Sequence, residues 1–312
     1  MAGRVEFGYN PPSGDRGLEV LNDATYVRDL HEVCDVASQH FDTFWISDHF
    51  MRGDTFRMEC WTHMTWMAAR YPTQTVGTVV IGNSYRHPPL LAKMAASLQV
   101  FSHGRFILGY GAGSFGADAR VLGYGPDGEG WSAKERGERY RESVEILDQL
   151  LRGAAEGRPR TTYRGTYYSA VDARMEPGCV QRPRVPFGLA ATGPLGLRTV
   201  VKHAQMWIAD DTTAGRDGEG PTPADTWAAL EKASRKLDAA LEQEGRDPAT
   251  LPRLLLSGLS PLRTMESKAR FDEVAGRAEE LGFTDFVVHY PRESGAYATP
   301  ADVLDEIAPA NP

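Results

Sequence analysis

The sequence predicts an α/β fold, a (β/α)8 TIM barrel with insertion loops at its carboxyl-terminal face, in a single domain over residues 1–312. Three observations predict it. Short apolar runs alternate eight times with longer stretches of helical periodicity, the order of parallel βαβ units. Several runs, TVVIG, FILGY and DFVVH, are apolar at successive positions, as strands covered on both faces are. The length of 312 residues suits one barrel. An open doubly wound sheet would show the same alternation, because counting units does not prove closure.

The elements follow in order. Residues 5–9 form a first strand, and 26–37 a helix with Leu30, Val33, Val36 and Ala37 on one stripe. Strand 44–47 precedes helix 61–70, strand 76–82 precedes helix 90–101, and strand 106–110 precedes helix 135–151. The rhythm then breaks. Residues 152–186 are rich in Gly, Pro, Arg and Tyr and predict a hairpin around TYRGTYYS. Strand 185–190 and helix 197–203 resume the pattern, followed by strand 206–209. Residues 211–223 (DTTAGRDGEGPTP) hold no Leu, Ile, Val or Phe and predict a mobile loop. Helix 224–244 repeats Trp227, Leu230, Leu237 and Leu241 at helical spacing. Strand 254–259, helix 268–281, strand 286–289 and helix 300–307 complete the eight pairs.

Bulk properties exclude several classes. The net charge is −8 and no dense basic run occurs, which argues against a nucleic-acid partner. Cys34, Cys60 and Cys179 lie far apart with no C-x-x-C, as reduced thiols of a cytoplasm do. The start MAGRVEFGYN has no apolar signal core. No apolar run approaches the roughly 20 residues that span a bilayer. The expectation is a soluble cytoplasmic protein with no membrane partner. No metal site is expected either, since His31-Glu32 is followed by Val-Cys-Asp and not by the x-x-His of a zincin.

The stretch RFILGYGAGSFGADA, residues 105–119, carries Gly111, Gly113 and Gly116 as G-x-G-x-x-G directly after a strand. A dinucleotide fingerprint opens a helix at once and meets an acidic residue about 20 residues later. Here Gly123, Gly125, Pro126, Gly128 and Gly130 interrupt any long helix, and no second strand follows. Glycines at the carboxyl end of a barrel strand serve another purpose, letting a flat ring lie against the backbone. They can also simply turn the chain. Ser114 is in no G-x-S-x-G elbow, because Ala112 holds the first glycine position.

Several segments, in order, resemble the luciferase-like superfamily of flavin- and deazaflavin-dependent oxidoreductases. TVGTVVIGNSYRHPPLLAKMAASLQVFSHGRFILGYGAG is similar to its third-to-fourth strand segment, and FDTFWISDHF to its second strand. ERGERYRESVEILDQLL resembles its fourth helix, and VPFGLAATGPLGLRTVVKHAQMWI its fifth strand, phosphate turn and following helix. The resemblance covers most of residues 5–210 and implies a TIM barrel, independently of the unit count. The wording is closer to the branch using coenzyme F420, a 5-deazaflavin, than to the FMN monooxygenases. Ser47-Asp48-His49-Phe50 is similar to the Ser-Asp-His-Phe of deazaflavin-dependent sugar-phosphate dehydrogenases, where the Asp and His lie at the reacting ring. Those enzymes place a catalytic Glu after the glycine loop, where this chain has Ser114.

The resemblance implies roles for individual residues. His49, at a strand end, would pass a proton to or from a substrate oxygen as hydride moves, and Asp48 would orient that ring or hydrogen-bond the cofactor. Thr78, Val79, Val80, Ile81 and Gly82 form the third strand end, where the family often carries a non-prolyl cis peptide against the cofactor ring. Asn83 would bond the cofactor or cap the strand. Ala112, Gly113 and Ser114 would line the ring. Ala191, Thr192 and Gly193 lead into a helix, where backbone N–H groups and the Thr hydroxyl form an anion site; a plain Thr N-cap followed by Pro reads equally well. The implied activity is hydride transfer between F420 and a small-molecule substrate, with a homodimer as the assembly. The alternatives are an FMN-dependent monooxygenase and a non-catalytic flavin-binding barrel. Substrate contacts would come from loops 51–59, 116–131 and 211–223.

Overall fold

The computed structural model describes residues 6–11, 25–50, 58–113, 117–125, 128–158, 160–211, 222–258, 261–289, 299 and 302–307. In chain order the first elements are β1 (Glu6–Asn10), α1 (Thr25–His40), β2 (Thr43–Ile46), α2 (Cys60–Arg70), β3 (Thr75–Thr78), β4 (Ile81–Gly82), α3 (Pro88–Phe101) and β5 (Phe106–Gly111). Then come α4 (Ala117–Val121), α5 (Ala133–Gly153), β6 (Thr161–Arg164), β7 (Ser169–Ala173), β8 (Phe187–Ala190) and α6 (Pro194–His203). The last are β9 (Met206–Asp210), α7 (Pro223–Gln243), β10 (Arg253–Ser257), α8 (Lys268–Glu280), β11 (Asp285–His289) and α9 (Val303–Ile307). Contacts cluster the chain into two compact units.

One unit takes Met1–Pro12, Ala24–Trp45 and Met206–Pro312. Its strands are parallel, in the order β2-β1-β11-β10-β9. Leu254, Leu255, Phe286, Val287 and Val288 are all buried, as their apolar succession predicts. Trp207 stacks on Phe283 at 5.9 Å and Phe271 meets Phe286 edge-on at 5.6 Å. Gly8 is dictated by packing: a Cβ there would lie 2.5 Å from Thr43 Oγ1, which accepts the Trp45 indole N–H. Helix α7 begins with a capping box, in which the Thr222 side chain accepts from Asp225 N–H and Asp225 returns a bond to Thr222 N–H. Most of the predicted loop 211–223 lies outside the described residues.

The other unit takes Ser13–Asp23 and Ile46–Gln205. Here β5 is central, paired in parallel with β3, β4 and β8. The continuous third strand expected over residues 76–82 is in fact two. Strand β3 pairs Val76 with Phe106, β4 pairs Gly82 with Gly111, and between them the Val79–Val80 peptide is cis. The predicted hairpin is present as antiparallel β6–β7. Arg184, fully buried, anchors this unit: it donates to Asp148 (2.6 Å), Gln205 Oε1, Val185 O and His203 O (each 2.8 Å), with its guanidinium 3.4 Å above the Phe187 ring. Against the effect of burial, His203, Arg152 and Arg184 hold the Asp148 carboxyl far below its usual range.

Within α2, His63 is buried with neither ring nitrogen hydrogen-bonded. Burial lowers its pKa from 6.5 to about 4. Between those values the unfolded chain binds a proton that the folded chain does not, so stability is lost as pH falls from 6.5 toward 4. The loss should be roughly 3 kcal/mol. His63→Met should flatten the urea-unfolding free energy across that window, and an unchanged slope would remove His63 as its source.

Candidate active site on the strand ends

The register of the second unit sets three strand ends side by side. Gly82 of β4 pairs with Gly111 of β5, and Gly111 pairs with Ala190 of β8. The residues that follow are therefore brought together: Asn83, Ala112–Gly113 and Ala191–Gly193. Asn83 N–H continues the ladder onto Gly111 O at 2.9 Å. Val80, Ala112, Gly113 and Ala191 are half-buried, while Thr192 and Gly193 are exposed. Small side chains thus form an open ledge at the carboxyl ends of parallel strands.

The glycine loop is explained by packing around that ledge. A Cβ on Gly111 would lie 2.7 Å from Val80 Cγ2, so the bare backbone at 111 is what seats the Val80 side chain. Gly113 has φ +76°, and a Cβ there would lie 2.9 Å from Ser84 Oγ. The glycines turn the chain and clear a surface at once. Ser114 and Gly116 lie outside the described residues, as do 51–57 of the predicted substrate loops.

Other expected residues are placed as follows. Thr78 is fully buried and its hydroxyl donates to Gly109 O at 2.7 Å, while Ile81 and Val79 are also buried. Their side chains serve the sheet, leaving Val80 to present its side chain. Thr192 is not the N-cap of α6. That position belongs to Gly193, which has no side-chain cap and no atom within 4 Å of its Cβ direction, with Pro194 at the first helical position. The helix N-terminus is open, because Pro194 forces the preceding residue into extended backbone and Thr192 is pushed one residue too far out.

Asp48 is held by three hydrogen bonds from two residues. It accepts Gly82 N–H at 3.2 Å and both Arg86 terminal nitrogens, at 2.8 and 3.4 Å. Arg86 also donates to Glu59, whose carboxylate caps α2 by accepting Trp61 N–H (3.1 Å) and Thr62 N–H (2.7 Å). Burial pushes the Asp48 carboxyl up, and the Arg86 guanidinium opposes it. Burial works against the Arg86 charge too, but Asp48 outweighs it and holds Arg86 protonated above its ordinary range. His49 is half-buried at the end of the same segment, and Phe50 is exposed with its ring 6.4 Å from Tyr85.

Sequence reasoning missed Arg86 and Glu59. A buried Asp needs a cation, but only the fold shows that Asp48 is buried and that Arg86, in the Tyr-Arg-His-Pro-Pro segment, supplies it. The hairpin's anchor was missed too. Glu142 of α5 is buried and accepts N–H groups from Thr166 (3.0 Å), Tyr167 (2.9 Å) and Tyr168 (2.6 Å) at the β6–β7 tip. Gly165 leaves that carboxylate room, since a Cβ would lie 1.9 Å from Glu142 Oε1. Among the described residues no cluster suits a metal ion, and no helix is long and apolar enough to cross a membrane.

Residues 9–266 match the family model described as luciferase-like monooxygenase. The chain belongs to that family. It is 30% identical over 284 residues to an F420-dependent glucose-6-phosphate dehydrogenase of Microbacterium testaceum (strain StLB037), covering 86% of this chain and 72% of that one. It is 29% identical over 205 residues to a 4-hydroxyprotoasukamycin monooxygenase of Streptomyces nodosus subsp. asukaensis, covering 62% of this chain and about half (52%) of the relative. Among solved structures, an F420-dependent secondary alcohol dehydrogenase in complex with an F420–acetone adduct superposes with TM-score 0.76 at 15% identity, over 98% of this chain and 99% of that one. At that identity the likeness is one of fold, and the fold is the family's (β/α)8 barrel.

The Asp48–Arg86 pair yields a measurable expectation. Arg86→Met leaves a buried carboxylate unpaired and should cost about 3–5 kcal/mol of unfolding free energy. Adding Asp48→Asn to that variant should restore part of the loss. Additive single effects in the double-mutant cycle would show that the two side chains do not support each other.

Proposed function

We propose that this chain is an F420-dependent oxidoreductase that transfers a hydride between C5 of the deazaflavin and a small organic substrate. The observation that carries the reading is the ledge itself: Gly82, Gly111 and Ala190 in one register row, with Val80 raised on Gly111 and Asp48 bonded to the same row through Gly82 N–H. The dehydrogenase relative at 30% identity supports the choice of cofactor. The residues present fit the group. Small, half-buried side chains leave room for a flat ring, Ser84 Oγ is a buried hydroxyl without a partner, and the α6 N-terminus is uncapped.

When bound, the deazaflavin supplies the hydride chemistry and, with carbon in place of N5, reacts poorly with oxygen. The protein does the rest. Val80, Ala112, Gly113 and Ala191 back the ring and exclude water from one face. Thr192, Gly193 and the first-turn N–H groups of α6 hold the phosphate. His49 holds or moves a proton at a substrate oxygen. Asp48, already bonded to Arg86, fixes the segment that carries His49. The reading also takes the chain as a single barrel domain, cytoplasmic and homodimeric; the buried free thiols of Cys34, Cys60 and Cys179 suit a reducing compartment.

Titration of the purified protein with F420 and with FMN in matched buffers tests the cofactor. F420 should bind more tightly. A clear preference for FMN, with oxygen consumed when reduced FMN is supplied, supports the monooxygenase reading instead.

His49 has its own test. His49→Ala should leave F420 affinity within a few-fold of wild type and slow turnover by about 10²–10⁴. Normal turnover by a folded variant would remove the proton-transfer role.

A further inference from the structure

Four consecutive residues of the turn that leaves β4 each hold a different part of their unit. Tyr85 N–H closes the turn on Gly82 O at 3.1 Å. Asn83 Oδ1 accepts the Tyr110 hydroxyl at 2.7 Å, and Arg86 reaches Asp48. The two residues between them reach forward along the chain. Ser84 O accepts the Tyr124 hydroxyl at 2.6 Å, and the Tyr85 hydroxyl donates to Asp118 Oδ2 at 2.7 Å. Both bonds end on one short stretch, residues 117–125, that follows the glycine loop.

That stretch carries little structure of its own. Helix α4 has five residues, far short of the roughly 12 that an isolated helix needs. After it Gly123, Gly125, Gly128 and Gly130 all take positive φ, so the chain turns repeatedly. Arg120, Val121, Gly123 and Gly125 are exposed, while Asp118 and Ala119 are buried. Bonds from Leu122 N–H to Asp118 O and from Tyr124 N–H to Ala119 O, 3.0 Å each, make it one compact piece. Two tyrosyl hydroxyls fasten that piece to the ledge. The Tyr85 ring is itself fixed: a Cβ on Gly82 would lie 2.8 Å from its Cε2, so the bare backbone of the register row seats it. Burial, and then Asp118, push the phenol pKa up and keep it a donor. The tether is therefore a hydrogen bond to a carboxylate, stronger than a neutral one.

We propose that residues 117–125 are a cover for the ligand on the Val80 ledge, and that the Tyr85–Asp118 hydrogen bond is the latch that sets how often it opens. The proposal rests on the F420 reading for its ligand. Tyr85 is a positioning residue in this scheme, acting through Asp118 and not on the reacting atoms. A ligand that enters and leaves only while the cover is open has both rates scaled by the open fraction. Breaking the latch raises the two rates together and leaves Kd nearly unchanged. A lost contact to the ligand raises the release rate alone.

The test pairs hydrogen exchange of the ligand-free protein with stopped-flow F420 fluorescence. It uses wild type, Tyr85→Phe, Asp118→Ala and the double variant, each checked for native circular dichroism. In either single variant the amides of residues 117–125 should exchange about ten- to a hundredfold faster. F420 association and dissociation should both speed up by a similar factor, with Kd within about threefold of wild type. The double variant should match the singles, and Asp118→Asn, which keeps an acceptor, should recover part of the slow exchange. Faster release with unchanged association, or unchanged exchange in Tyr85→Phe, overturns the proposal. Should wild type prefer FMN, the rates are read with FMN, and a parallel rise then keeps the latch and rejects only the F420 reading.

Discussion

Val80 occupies the space that a side chain at position 111 would fill, and the arrangement of the site follows from that exclusion. With glycine at 111 the chain after β3 can lean onto β5, β4 can resume pairing one step further along, and Asn83 can continue the ladder onto Gly111 O. Gly82 N–H is then placed to meet Asp48, which brings Arg86 and Glu59 with it. One missing methyl group thus sets the height of the ledge and the position of the charges beside it. Alanine at 111 would have to displace a branched side chain packed at the end of a buried strand, which close-packed interiors resist.

The charged residues around the ledge have a division of labour that their identities alone do not show. Asp48 looks like a reactive group in the sequence because it precedes His49, yet its carboxylate is already bonded to Arg86. Arg86 in turn ties the end of the β2 segment to the start of α2 through Glu59. Such a buried network contributes more to holding one geometry than to net stability, since desolvation offsets much of the attraction.

The barrel was legible because its signal is repeated: successive apolar residues in strands and a 3.6-residue stripe in helices recur eight times, so an error in one unit does not change the class. The hairpin was legible for a simpler reason, as TYRGTYYS interrupts the rhythm with turn residues. What could not be read depended on partners distant in the chain. Nothing local says that Asp48 meets Arg86, that Asn83 is pinned by Tyr110, or that Glu142 reaches the backbone of residues 166–168. Two local features were read only in part. Apolar residues run through Val76–Gly82 and read as one strand where the pairing is that of two, and the alternative reading of Thr192 as an N-cap is displaced by Gly193. The Thr222–Asp225 capping box, by contrast, was written plainly as T-P-A-D and passed over inside a loop.

Glu142 changes how the β6–β7 hairpin should be regarded. Three backbone N–H groups at its tip rest on one carboxylate of α5, so the tip is located by a helix and not by the two strands that lead to it. Those strands, largely exposed along Ser169–Ala173, behave as tethers of adjustable length. Residues could be added at the turn around Glu156–Arg158, or exchanged along the strands, without moving Tyr168. The insertion is in this sense modular: its remote end is free to diversify while its working end stays registered to the barrel.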